Sequence, residues 1–349
     1  MNLCKKGSII YEIEERLAFC PPFTKKFSPS RRNSMLKVAI TVNPNKDHDL
    51  VYTSRLLDIL EECGCRVFMS DTFKKPYGNM PSVSESLLAG RKIEYLPEYQ
   101  LFRRVGLCIV FGGDGTILKI AKKAAFGGAY ILGVNLGRVG YIAELETHEL
   151  DLVRKIASVS EIGEIETLPG VRIDRRMMLK AEIVRGGESI YCATALNDIV
   201  ISKGAVSRMA GLKLSCNGKC ISTYRADGIV VSTPTGSTAY CMSAGGPIID
   251  PKLECICAVP VCPYMCVNSG AVVFSDRSVI EVEFTADKIN EAFCTIDGKG
   301  VKSLYNGDIV RITKSPLNTK LIRLKDVDFY SLLNHKLAAA QSSAELNRR

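Results

Sequence analysis

Along the first half of the chain, apolar residues fall into short dense runs separated by longer stretches where they recur every three or four positions. Leu36 to Val42, Leu107 to Phe111 and Tyr130 to Asn135 are such runs, with a shorter one at Arg66 to Met69. They are too short for helices and lack polar alternation, the pattern of strands buried on both faces of a parallel sheet. Between the first two, Val51, Leu56, Leu57, Ile59 and Leu60 approximate a helical face from about Asp49 to Cys63, with Gly64 as the stop. Lys74 to Tyr99 carries Pro, Gly and Ser and reads as loop with one helical piece. A further helix is expected from Ile117 to about Ala125, capped by Thr116. Strand and helix alternate from Leu36 to about Ser158. That predicts an α/β N-terminal domain, residues 35 to 160, with a Rossmann-like parallel sheet and ligand sites at the strands' carboxyl ends.

After Gly163 the period changes. Met178 to Val184, Ser189 to Ala193, Asp198 to Ser202, Leu212 to Cys216 and Lys219 to Tyr224 are short alternating segments. Asn217-Gly218, between the last two, is a type I′ hairpin signal. Ile229 to Ser232, Val279 to Phe284, Ala292 to Ile296, Asp308 to Lys314 and Thr319 to Leu324 are further strand candidates. Their spacing predicts an all-β C-terminal domain, a layered β-sandwich over residues 161 to 300. Residues 301 to 349 supply strands and a tail expected to pack back on the α/β domain. Residues 1 to 34 differ from the rest, with Pro21, Pro22, Pro29 and the basic cluster Lys25, Lys26, Arg31 and Arg32. They read as a flexible extension. Met35, just before the first strand, is expected to open the folded part or to be the true start.

At 349 residues, 46% hydrophobic and 24% charged, the composition excludes overall disorder and allows two domains with cores. No apolar run reaches the roughly 18 residues of a membrane span, and the first residues lack a signal peptide's apolar centre, so a cytoplasmic location is expected. The fourteen cysteines are dispersed, form no CxxC pair and are accompanied by only His48, His148 and His335. Reduced, mostly buried thiols are expected, and Cys63 with Cys65, Cys216 with Cys220 and Cys262 with Cys266 are weak zinc candidates. A net charge of +9 allows nucleic acid, anionic lipid or a polyanionic small substrate. The basic residues are scattered and no RNP-like aromatic pattern occurs, which disfavours nucleic acid.

The chemistry concentrates in two stretches. Gly112-Gly-Asp-Gly-Thr116 follows the Leu107 to Phe111 strand directly; its glycines let the backbone turn sharply and approach a bulky ligand, and amides at a helix start suit phosphate. Asp114 places a carboxylate in that cradle. It either caps the helix or holds a substrate hydroxyl or a metal beside phosphates. No GxxxxGK[ST] and no helix-opening GxGxxG is present. Leu136 to Tyr141, with two glycines, suggests a second ligand-facing turn. The other stretch, Thr223 to Ile248, surrounds the apolar strand Ile229 to Val231 with Arg225, Asp227 and a run of hydroxyls and glycines, donors and acceptors suited to a nucleotide.

GGDGT alone resembles the signature shared by NAD kinases, diacylglycerol kinases and 6-phosphofructokinases. Together with Asn197-Asp198, YRADGIVVSTPTGSTAY at Tyr224 to Tyr240, SAGGPI at Ser243 to Ile248 and Asp297-Gly298, it resembles, in order and spacing, the NAD kinase family over roughly Met35 to Leu337. That resemblance implies transfer of the γ-phosphoryl of ATP, or of another phosphate donor, to the 2′-hydroxyl of the adenosine ribose of NAD, giving NADP, with a divalent metal, Mg²⁺. It implies Asp114 as general base, with Gly115 in the same turn and Lys119 reaching the ligand from the first helical turn. Asn197 and Asp198 would hold ribose hydroxyls, and Arg208, Arg225 and Asp227 would complete the dinucleotide pocket. Thr238, Ala239, Tyr240, Cys241, Met242 and Ser243 would wrap the adenine. Lys299 stands where many members have Gln or Asn. Other departures are Tyr264 after Cys262-Pro263, Cys241 and Met242 for the usual Ser-Leu, Tyr141 for Phe, and the absence of tryptophan. The resemblance also implies a homodimer or homotetramer and a site in the cleft between domains. Partners are then small-molecule substrates, with neither nucleic acid nor membrane. Two competing readings are a lipid or sugar kinase sharing only GGDGT, and a non-catalytic NAD or NADP sensor.

Overall fold

The computed structural model describes residues 35–43, 45–74, 88–137, 140–204, 209–265, 270–285 and 291–346. The expectations for residues 1–34 and for Arg208 lie outside them. The described chain divides into two units, one running to Arg175 and resuming at Thr319, the other Arg176–Asn318.

In the first unit the apolar runs become β1 (Lys37–Val42), β2 (Arg66–Ser70), β3 (Ile93–Leu96), β4 (Leu107–Phe111) and β5 (Tyr130–Asn135), all parallel and ordered β3-β2-β1-β4-β5. The strand order reverses between β1 and β4, and in doubly wound sheets ligands bind at the carboxyl ends of the strands flanking that point. β4 and β5 are buried at every position, which is why neither alternates. Helix α1 (Val51–Glu62) lays Leu56, Leu57, Ile59 and Leu60 on the sheet. Its entry is fixed by the buried Asp47 carboxylate, which accepts the amides of Tyr52 (3.1 Å) and Thr53 (2.9 Å) and the Thr53 hydroxyl (2.6 Å). A two-residue strand, β6 (Leu145–Glu146), runs parallel to the end of β5.

Two local expectations fail here. The stretch read as loop before Tyr99 contains β3 and leads into helix α2 (Glu98–Arg104), with Pro97 at its N-cap. Arg91 and Lys92 obscure β3 as a short edge strand. Helix α3 (Asp114–Gly127) begins three residues before Ile117, with Gly113 as N-cap; the Gly113 carbonyl accepts the amides of Thr116 (2.8 Å) and Ile117 (3.2 Å). Thr116 is therefore not the cap. Its Oγ1 lies 2.3 Å from where a Cβ on Gly112 would stand, so side chain and glycine interlock.

The second unit is an antiparallel sandwich. One layer is ordered β14 (Val272–Ser275), β13 (Cys255–Val261), β12 (Gly228–Ser232), β9 (Asp198–Lys203), β16 (Ala292–Ile296) and β17 (Lys299–Leu304). The other contains β11 (Lys219–Ala226), β10 (Ala210–Cys216), β15 (Ile280–Thr285) and the first part of β18 (Ile309–Arg323), with the hairpin of β7 (Arg172–Arg185) and β8 (Glu188–Ala195). Leu212, Leu214, Val282, Phe284, Val310 and Ile312 meet Ile199, Ile201, Ile229, Val231, Ile256 and Cys294 in one core. Burial is worth roughly 1.5–3 kcal/mol for each large side chain. Asn217-Gly218 has positive φ at both residues (51° and 77°) between β10 and β11, the I′ geometry its sequence predicts. Asp297-Gly298 does the same between β16 and β17 (49° and 68°).

β7 is longer than the Met178 to Val184 segment, and the two last strand candidates are one continuous strand, β18, carrying Pro316 inside it. The second half of β18 pairs in parallel with β5 through Lys320 and Leu321. Every cysteine among the described residues is a free thiol; Cys108, Cys241, Cys257 and Cys294 are buried, whereas Cys220 and Cys262 are exposed.

Candidate active site

An aspartate that opens a helix ordinarily accepts that helix's own free amides. Asp114 does something else. Its Oδ2 accepts the Tyr141 amide at 2.7 Å and its Oδ1 accepts the Ile142 amide at 3.0 Å, both from the turn after β5. The carboxylate is thus turned out of its helix and gripped at both oxygens. Gly140 makes this possible, because a Cβ there would stand 2.0 Å from Oδ1 and 2.7 Å from Cγ. The second glycine turn read from the sequence therefore faces Asp114. Asn135, at the end of β5, braces that turn by donating to the Gly137 carbonyl (2.9 Å) and to Glu146 (3.1 Å).

Lys46, in the loop after β1, was not singled out from the sequence because isolated lysines carry no signal. Its Nζ lies 3.7 Å from the Cβ position of Gly113 and 3.5 Å from that of Gly137. An ammonium group thus stands beside both glycine turns at the β1/β4 switch point. Gly115 is exposed with nothing within 4 Å of a Cβ position, and Lys119 is exposed one turn along α3. Among the described residues no group of three or more His, Cys, Asp or Glu side chains could hold a metal ion.

In the second unit, Asp297 organises the Asn197-Asp198 pair. Its carboxylate accepts three successive amides, from Leu196 (2.9 Å), Asn197 (2.7 Å) and Asp198 (3.2 Å). Held this way, Asn197 buries its Oδ1 without a hydrogen-bond partner among the described residues. Native buried acceptors rarely stay unpaired, so this atom is available to a donor. Asp198 is buried, and desolvation, helped by the nearby Asp297 charge, pushes its carboxyl up to about 7. The Thr235–Thr238 turn packs against the same segment: a Cβ on Gly236 would stand 2.2 Å from the Asn197 carbonyl oxygen, and the Thr233 hydroxyl donates to the Leu196 carbonyl at 2.6 Å. The buried Arg176 donates to Thr235 Oγ1 at 3.3 Å, a support that the sequence did not reveal.

Thr238 and Ala239 are partly buried at the end of that turn, and the short helix α4 (Tyr240–Ser243) follows. Tyr240 and Ser243 are exposed, Met242 is half-buried, and Cys241 is wholly buried under Gly246. Lys299 is exposed directly after the Asp297-Gly298 turn, which places it on the hairpin that holds Asn197. Arg225 is exposed on β11, while the Asp227 carboxylate is paired with Lys203 Nζ at 2.9 Å. The structure thus groups Asn197, Asp198, the Thr238–Ser243 segment and Lys299 around one scaffold, with Asp227 engaged by a lysine of its own unit.

The chain is thus an α/β plus β protein of two units, a doubly wound sheet with a carboxylate clamped between glycine turns and a β-sandwich. Comparison with known proteins narrows this. Residues 38–161 match the family model of the ATP-NAD kinase N-terminal domain, and residues 196–324 that of the ATP-NAD kinase C-terminal domain. The chain is 34% identical to the NAD kinase of Acetivibrio thermocellus over 303 residues, covering 87% of this chain and 97% of that protein. It is 36% identical to that of Caldanaerobacter subterraneus subsp. tengcongensis over 303 residues, covering 87% and 99%. Among solved structures it shares its fold with yeast NADH kinase complexed with NADH, at TM-score 0.74 and 22% identity, covering 89% of this chain and 92% of that one. The chain belongs to the NAD kinase family.

Proposed function

We propose that this chain is an NAD kinase that transfers the γ-phosphoryl of ATP, or of another phosphate donor, to the 2′-hydroxyl of the adenosine ribose of NAD. The observation that carries the reading is the Asp114 carboxylate, fixed by two amides and flanked by glycines at the sheet's switch point. Phosphoryl transfer needs positioning and charge neutralisation more than covalent chemistry. Asp114 takes the proton of the attacking hydroxyl. Gly115 leaves the turn open, and Lys46 and Lys119 neutralise donor phosphates. In the sandwich unit, Asn197 Oδ1 and Asp198 receive ribose hydroxyls, Tyr240 and Thr238 with their neighbours Ala239, Met242 and Ser243 contact the adenine, and Lys299, Arg208, Arg225 and Asp227 complete the dinucleotide pocket. Cys241, being wholly buried, acts on that segment through packing.

Both oxygens of Asp114 accept amides and no side-chain cage for a metal occurs among the described residues. A magnesium ion held mainly by substrate phosphates needs no such cage, and the residues fit an ion that arrives with the donor. When bound it would supply neutralisation of phosphate charge. The titrating steps belong to the protein's own groups. No helix among the described residues is long and apolar enough to cross a membrane. The reading places the enzyme in the cytoplasm as a homo-oligomer, which fractionation and light scattering test. The activity itself is tested by following NADP with an NADP-specific dehydrogenase after incubation with NAD, ATP and Mg²⁺. NADP formation is expected. Binding of NAD without turnover would replace the kinase reading with a sensor, and phosphorylation of diacylglycerol but not NAD would replace it with a lipid kinase.

A further inference from the structure

The C-terminal helix α5 (Phe329–Leu346) belongs to the same unit as Asp114 and returns to it. Lys336 on that helix stands with Nζ 3.8 Å from Asp114 Oδ2 and 3.5 Å from the centre of the Tyr141 ring. Phe329, at the start of the helix, meets the other part of that contact, its ring centre 6.5 Å from that of Tyr141. The Lys336 side chain is only 19% exposed. Taking an ammonium group out of water is costly unless charge or a π face compensates it, and here Asp114 and the Tyr141 ring are what it meets.

We propose that Lys336 is a positioning residue for Asp114, holding Oδ2 turned toward Tyr141 so that Oδ1 is the oxygen presented to the substrate hydroxyl. This inference rests on the reading of Asp114 as the base. Among the described residues, Oδ2 receives both the Tyr141 amide and the ammonium charge, whereas Oδ1 receives the Ile142 amide alone. The ammonium adds a second contact at Oδ2, and a reacting group held on one side keeps its other oxygen in a fixed direction. Burial pulls the Lys336 ammonium below the ordinary lysine range and Asp114 opposes that pull. Among the described residues, the Tyr141 phenol, raised by burial and by Asp114, faces the pair, and Lys46 stands beside Gly113. On the pair's own helices stand the exposed Lys119 and His335.

The experiment is the split of kcat from KM for NADP formation by the wild type, Lys336→Met, Lys336→Arg and Asp114→Asn, each checked for folding by thermal melting. In Lys336→Met kcat is expected to fall about 10-fold, with KM for NAD and for ATP unchanged. Lys336→Arg, which keeps the charge, is expected to retain the wild-type kcat. An unchanged kcat in Lys336→Met, or an equal loss in both lysine variants, would overturn the proposal, as would a raised KM for ATP with an unchanged kcat, which marks a phosphate ligand. If Lys336→Met does not fold, the comparison passes to Lys336→Gln with the same two outcomes. Wild-type turnover by Asp114→Asn would instead overturn the base reading, so the two failures are distinct.

Discussion

Replacing Gly140 with alanine tests whether the position of the Asp114 carboxylate matters. The new Cβ would stand 2.0 Å from Oδ1, 2.7 Å from Cγ and 3.1 Å from Oδ2. An ordinary carbon to oxygen contact needs more than 3 Å, so the carboxylate or the turn must give way by about 1 Å. Oδ1 then loses its amide bond from Ile142, now 3.0 Å, and the Tyr141 bond at 2.7 Å is strained with it. Hydrogen bonds to a charged acceptor contribute roughly 1.5–3 kcal/mol each, so losing one or both costs about 1.5–6 kcal/mol of stability. A displacement of about 1 Å at a reacting group costs on the order of 10²-fold in rate. Urea denaturation gives the first quantity and steady-state NADP formation the second. The expected variant is destabilised, with kcat down about 10²-fold and KM for NAD little changed. Wild-type kcat in a destabilised Gly140→Ala protein would refute the reasoning, because the clamp would then serve folding alone.

Three further outcomes follow from the same geometry. The Asp198 carboxyl is raised from 3.8 to about 7, so between those values the folded chain holds a proton that the unfolded chain has released, and stability falls as pH rises through that window. Asp198→Asn should therefore gain up to a few kcal/mol at pH 8 and nothing at pH 4, read from urea midpoints; equal gains at both would contradict the assignment. Asp297→Asn leaves one of the three amides of residues 196–198 facing an NH₂ group instead of an acceptor, and should raise KM for NAD about 10-fold with a smaller change in kcat. Lys46→Met should raise KM for ATP by about 10-fold while leaving KM for NAD unchanged, consistent with loss of one charge-assisted phosphate contact.

Features written locally were legible in the sequence. The buried parallel strands β4 and β5 show as unbroken apolar runs, the sandwich strands as alternation, and Asn217-Gly218 as its turn. β3 was missed because four residues between Lys92 and Pro97 carry little pattern, and β18 was split because Pro316 normally interrupts strands. The parts of the site that escaped detection are long-range. Asp114 is recognisable by its motif, but its grip depends on amides 27 and 28 residues later, and the Asp297 carboxylate reaches amides about 100 residues earlier. No spacing rule reveals such partners. Lys46 and Lys336 are ordinary lysines until the fold brings one beside the glycine turns and the other beside Asp114. Thr116 shows the converse, since its capping pattern was legible and the fold uses Gly113 instead.

The central claim is that Asp114 takes the proton from the hydroxyl that attacks the phosphate donor. The most direct measurement is single-turnover NADP formation by the wild type and by Asp114→Asn at saturating NAD and ATP, with NAD affinity measured separately by calorimetry. Asparagine keeps one acceptor for the two amides that now hold the carboxylate, so the affinity control separates a disturbed site from a lost base. The account predicts NADP from the wild type and a rate at least about 10²-fold lower in the variant, with NAD still bound. Turnover by Asp114→Asn at the wild-type rate would contradict it.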